Sequence, residues 1–211
     1  MSRFITYLER MGHSKEQSPD MPQNELKPVV AGTDTNIDIV FIPRPGEQGL
    51  VGWTAKTQEG HEVIWPKDYL GHDIPNARIL AYEYSEGANL GDYGSDAKNL
   101  FLVAHSLGGI VSAKVMTDGD PSISGCIQGL AFFGTPFQGT NGRELPNILG
   151  SIVTYYGLPN NGFENEIQAL KRLSDALSTS HKGVKLTSFS ERSSGVCHTS
   201  FTLPRILDAN D

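Results

Sequence analysis

Apolar residues in this chain come in short runs broken by glycine, proline and polar stretches. Ile37-Asp38-Ile39-Val40-Phe41-Ile42 predicts a strong strand, stopped by Pro43-Arg44-Pro45-Gly46. Ala77–Tyr84, Leu100–His105, Ile127–Phe133 and Val184–Phe189 read as further strands, and Pro28–Gly32 as a short one before them. Val63–Leu70 suits a short helix with Pro66 near its first turn. Gly109–Thr117 reads as a helix ended by Asp118-Gly119-Asp120-Pro121, and Leu145–Tyr156 as another. The clearest helix is Phe163–Ser180. Ile167, Leu170, Leu173 and Leu177 share one face, with Glu164 and Glu166 early and Lys171 and Arg172 later. Strands alternating with helices predict an α/β domain built on a mainly parallel sheet. Polar residues 1–27 read as a flexible tail, 28–203 as the domain and 204–211 as a C-terminal tail.

Composition narrows the setting. A chain of 211 residues suits one domain, and 23 glycines with 12 prolines imply many turns. The net charge of -7 argues against a nucleic-acid partner or an anionic membrane surface. No apolar run is long enough to predict a transmembrane segment, and Met1–Arg10 lacks the apolar core of a secretory signal. Cys126 and Cys197 make no disulfide framework and have no metal-site spacing. An intracellular setting is expected, the cytoplasm first.

Chemistry points to one stretch. Leu100–Ala104 runs into His105-Ser106-Leu107-Gly108-Gly109, and a helical pattern with Ile110, Val111, Val115 and Met116 follows. Strand, sharp turn and helix are the form of a nucleophile elbow, with small Ala104 and Gly108 on either side of Ser106. A serine at such a tip meets a base arriving from elsewhere, and the Leu107 N–H faces a developing oxyanion. Chance alone produces such short patterns, and a serine buried at a glycine-rich helix start is the bland alternative.

More segments occur in a telling order: Gly52-Trp53-Thr54, Trp65, Leu70, Pro75–Tyr82, Phe132-Phe133-Gly134-Thr135-Pro136 and Ser188-Phe189-Ser190-Glu191. With the elbow, this order resembles the serine-esterase-like α/β-hydrolase domains of fungal multidomain proteins. Those domains are related to the DUF676 and PGAP1-like lipases and to the serine-active-site-containing proteins of mitochondria and endoplasmic reticulum. The likeness spans roughly Val29 to His198. It implies an α/β-hydrolase fold and acyl-ester hydrolysis by Ser, acid and His in that chain order. It also admits a mitochondrial or endoplasmic-reticulum location beside the cytoplasmic one.

Carried over by position, the resemblance makes Ser106 the nucleophile and Glu191, directly after the Val184–Phe189 strand, the acid, with Asp175 the weaker candidate. His198 is the base, with His181 as its rival. His105 faces away from the site by strand alternation and is read as structural. Phe137 stands where the family has a histidine, and lines an acyl pocket or merely packs. No metal or organic cofactor is implied, and the substrate is a small ester or lipid.

Three departures from the family follow. First, its His-Gly oxyanion loop is replaced by Pro43-Arg44-Pro45-Gly46-Glu47. Pro45 then occupies the donor position without an N–H, so Gly46 or Arg44 would have to donate. Second, the crossover from Tyr84 to Leu100 is shortened. This predicts an exposed apolar sheet face near residues 85–99, or a protein partner that covers it. Third, Glu191 and His198 lie so close in sequence that the last strand is missing or vestigial. The leading expectation is therefore a serine esterase or lipase with a Ser-Glu-His triad. The competing one is a catalytically impaired recognition or signalling module of hydrolase fold, or a fragment of a larger multidomain protein.

Overall fold

The computed structural model describes residues 25–84, 99–137, 149–150, 154, 164–180 and 183–189. Its strands are β1 (Glu25–Val30), β2 (Ile37–Ile42), β3 (Thr54–Lys56), β4 (Glu62–Ile64), β5 (Ala77–Glu83), β6 (Leu100–His105), β7 (Ile127–Phe133) and β8 (Lys185–Phe189). Two longer helices are described, α1 (Gly108–Asp118) and α2 (Glu164–Ser180). One sheet has the order β1-β5-β2-β6-β7-β8. Its edge strand β1 is antiparallel to β5, and every other pair is parallel. β3 and β4 form a separate hairpin.

Parallel strands are covered on both faces, so their side chains are apolar in both directions. On one face Val40, Ile42, Leu80, Leu102, Ala104, Leu130 and Phe132 meet Ile110, Ala113 and Met116 of α1 and Leu170, Leu173 and Leu177 of α2. The helical spacing of the α2 leucines is thus realised as a buried stripe. On the other face Ile39, Phe41 and Ile79 lie under Trp53, with Trp65 and Leu70 packed against the cluster. Trp53 belongs to a 3-10 turn, Val51–Trp53, and its ring meets Phe41, Trp65 and Phe133 edge-on at 5.1, 5.9 and 5.3 Å.

Asp38 interrupts the apolar run of β2 and is buried there. It accepts two hydrogen bonds, at 2.7 and 2.8 Å, from Arg78 directly opposite on β5. This bidentate geometry is what makes a buried carboxylate tolerable.

The mainly parallel sheet flanked by helices is as expected, and β2, β6 and β7 have the predicted bounds. Some expectations need correction. β1 starts at Glu25, so residues 25–27 pair with β5 although their polarity placed them in the tail. Val63 and Ile64 are not helical: they pair with Ala55 and Thr54. The helical turn begins only at Pro66, and Asp68 anchors it by accepting the Ile64 N–H at 2.8 Å. Of the helix expected over 145–156, Leu149, Gly150 and Thr154 are described and helical. A one-turn helix, Pro121–Ser124, was not anticipated. Asp120 caps it, and hydrogen bonds with Ser122 hold the Asp120 carboxyl below its usual range.

Tyr82 supplies a pH prediction. Burial pushes its phenol well above the ordinary tyrosine range. A group whose folded-state pKa is raised contributes stability that is fully present below its unfolded value, about 10, and is lost as pH rises beyond it. In a spectrophotometric titration near pH 11 Tyr82 should therefore stay neutral, and Tyr82→Phe should remove that late component. Its loss should also make the alkaline fall in stability shallower.

Candidate functional site

The chain leaves β2 for β5 on one side of the sheet and then returns to β6 on the other. The strand order thus reverses around β2. In open parallel sheets the crevice beyond the carboxyl ends of the strands at such a reversal is where ligands bind. Two segments meet there: the loop after β2, beginning at Pro43, and the turn after β6, holding Ser106 and Leu107.

Ser106 has φ +53°, a left-handed conformation that non-glycine residues rarely take. Its N–H donates to the Phe133 carbonyl at 2.8 Å, tying the turn to β7, while its own carbonyl accepts from Gly109 N–H at 3.1 Å. The strained tip is therefore held between the sheet and α1. No acceptor among the described residues takes the N–H of Leu107. That donor stands at the start of α1, where backbone N–H groups lack intrahelical partners and the helix dipole favours negative charge.

The two glycines that follow are required by contact. A methyl group on Gly108 would fall 2.5 Å from the Ile42 carbonyl oxygen and collide with that of Pro43. A methyl on Gly109 would overlap the Thr135 side chain. α1 thus starts flush against the end of β2 on one side and against the Gly134-Thr135-Pro136 segment on the other. The Pro43 carbonyl also accepts the Tyr84 hydroxyl at 2.8 Å, so the loop after β2 is fastened at its root.

That loop turns sharply. Glu47 N–H donates to the Arg44 carbonyl at 3.1 Å, and Gly46 has φ +89°. Pro45 followed by a glycine of positive φ is a type II turn, for which proline presets the first corner. Pro45 is buried and Gly46 exposed. Proline offers no donor, and the Gly46 N–H is not the one that closes the turn.

His105 is half-buried, its ring 5.7 Å from Trp53. Its Nδ1 lies 3.9 Å from Glu47 Oε2. Sequence reading placed it on the far side from the site, but the Glu47 contact was not legible. Nothing in linear spacing brings a glutamate after a Pro-Gly turn to a histidine on β6. The pairing Arg44–Glu47, three residues apart with Nε 2.7 Å from Oε1, was the one local signal available. Thr135 was likewise missed as the neighbour that demands a glycine at 109.

The structure brings Ser106, Leu107, Pro45 and Gly46 to the same end of the sheet. Phe137 packs edge-on against Phe132 at 5.1 Å, within the core. Glu191 and His198 lie outside the described residues, as do His181 and the connection 85–98. Asp175 is exposed on α2. Among the described residues no group of three or more His, Cys, Asp or Glu side chains could hold a metal ion. No helix among them is long and apolar enough to cross a membrane.

No family model matches the chain. Protein SERAC1 of Danio rerio is 29% identical over 150 residues, covering 49% of this chain and 22% of that protein. The chain therefore corresponds to about a fifth of that relative's length. Among solved structures, a carboxylesterase of the archaeon Nitrososphaera gargenis is 14% identical with a TM-score of 0.46, covering 82% of this chain and 78% of that one. A lipase-esterase related protein from Clostridium acetobutylicum is 10% identical with a TM-score of 0.43, covering 80% and 90%. The sheet order, its antiparallel edge and the left-handed serine between β6 and α1 are the features of an α/β-hydrolase fold.

Proposed function

We propose that the chain is a serine esterase that hydrolyses carboxylic or lipid acyl esters. The observation that carries this reading is Ser106 at φ +53° on the turn between β6 and α1. A protein sustains that strain where the surrounding structure over-determines it, and such outliers cluster at active sites. In the proposed reaction the Ser106 hydroxyl attacks the ester carbonyl, and a histidine takes its proton. The Leu107 N–H stabilises the oxyanion, with the Gly46 N–H as second donor in place of Pro45. The alcohol leaves with that proton, and water then cleaves the acyl-serine. Glu191 and His198 are proposed as acid and base, following the chain order of the esterase-like family.

A fluorophosphonate probe tests the assignment. Intact chain should be modified at the peptide containing Ser106, and Ser106→Ala should take up none. Equal modification of the two, or none in either, removes the proposal.

One observation favours a second reading, an inactive hydrolase-fold module that binds a protein partner. Pro45 is buried in the loop where a second oxyanion donor belongs. Under that reading intact chain neither reacts with the probe nor turns over p-nitrophenyl esters, and the protein acts by binding alone.

A further inference from the structure

We infer that Glu47, paired with His105, is a positioning residue that sets the Pro45–Gly46 turn against the serine turn. The inference rests on the esterase reading for its effect on turnover, but its geometry stands apart from it.

Glu47 makes three connections. Its N–H closes the turn on Arg44 O at 3.1 Å. Its Oε1 lies 2.7 Å from Arg44 Nε. Its Oε2 is fully enclosed, accepts no hydrogen bond among the described residues and lies 3.9 Å from His105 Nδ1. An enclosed carboxylate oxygen is costly unless cationic or donor groups flank it. Here one flank belongs to the turn itself and the other to the residue that precedes Ser106. If the turn moved away from β6, Oε2 would lose the flank His105 supplies. The position of the turn and the end of β6 are thereby coupled.

The space around the pair is shaped for it. Gly52 caps it: a methyl there would stand 3.0 Å from Glu47 Oε2 and 3.2 Å from His105 Nδ1. Trp53, the next residue, lays its ring against the His105 imidazole. Even one carbon at position 52 would press on the pair. When the imidazole is protonated the contact is an ion pair between two largely buried side chains, stronger than a surface pair of the same length.

The experiment uses the full chain with Glu47→Gln, His105→Gln, the double variant and Gly52→Ala. Glu47→Gln keeps shape and removes charge. It should lower kcat for p-nitrophenyl acetate about tenfold with KM within about twofold, a loss confined to the transition state and smaller than the roughly 10²–10³-fold of an oxyanion donor removed outright. Hydrogen exchange at the Glu47 amide should quicken about tenfold as the turn loosens. His105→Gln should act the same way, and the double variant should be no worse than either single one, because coupled residues are not additive. Unchanged kcat and exchange in Glu47→Gln, or additive losses in the double variant, overturn the inference. If the wild type turns over no ester, the esterase reading falls and exchange alone decides: faster Glu47 exchange upholds the clamp and unchanged exchange overturns it. If His105→Gln does not fold, Glu47→Gln and Gly52→Ala decide by the same two measurements.

Discussion

Gly108→Ala is expected to destabilise the protein by about 3 kcal/mol, lowering the thermal midpoint by about 6–12 °C at this chain size. On helix propensity alone the opposite sign would follow, since alanine is favoured over glycine in a helix by up to about 1 kcal/mol. Contact decides against propensity here. The added methyl meets two backbone carbonyls, those of Ile42 and Pro43, and backbone at the end of a central strand cannot rotate out of the way. Relief requires α1 to lift from β2, which opens the layer holding Ile110 and Ala113. The Pro43 carbonyl would shift with it and strain its hydrogen bond from Tyr84. Gly109→Ala should also destabilise, because the added methyl overlaps the buried Thr135 at Oγ1, Cγ2 and Cβ, and rotation about χ1 cannot move the Cβ away. Thermal or urea melting checks both, and a neutral Gly108→Ala would disprove the tight approach of α1 to β2.

Ser106 separates stability from activity. Ser106→Ala should cut ester turnover on the order of 10⁴-fold or more, since the attacking oxygen is gone. Its melting point should stay near that of the wild type, because alanine is as strained as serine at φ +53°. Ser106→Gly should lose turnover equally yet melt about 2 °C higher, because glycine occupies this region without a Cβ penalty of about 1 kcal/mol. The pair of variants therefore reports the strain held at the site. Turnover surviving in Ser106→Ala would remove the serine mechanism. A lower melting point for Ser106→Gly would remove the strain account.

Both expectations concern segments that the order of residues alone locates, for a definite reason. A strand run ending in a small residue, a serine and two glycines is a local pattern, and local patterns survive folding when tertiary contacts agree with them. β2, β6, β7 and α2 were legible for the same reason: each carries its periodicity within its own residues. Val63 and Ile64 were not. Their apolar character fits a helix or a strand equally, and pairing with Thr54 and Ala55 decides. β1 was only half legible, because Glu25 and Lys27 look like tail residues until the edge of β5 gives their backbone a partner. Lys27 then reaches Glu83 at 2.6 Å across that edge.

By itself the order of residues determined an α/β domain, a sheet mostly parallel, and one serine on a bend between strand and helix. These follow from periodicity and turn chemistry, which act over a few neighbouring residues. Tertiary structure alone decided which glycine faces backbone and which faces Thr135, which loop meets the serine turn, and that Glu47 from one segment lies beside His105 from another. Such facts depend on strand order around β2. That order is set by how the whole chain buries both faces of the sheet, a condition that no short stretch of sequence contains.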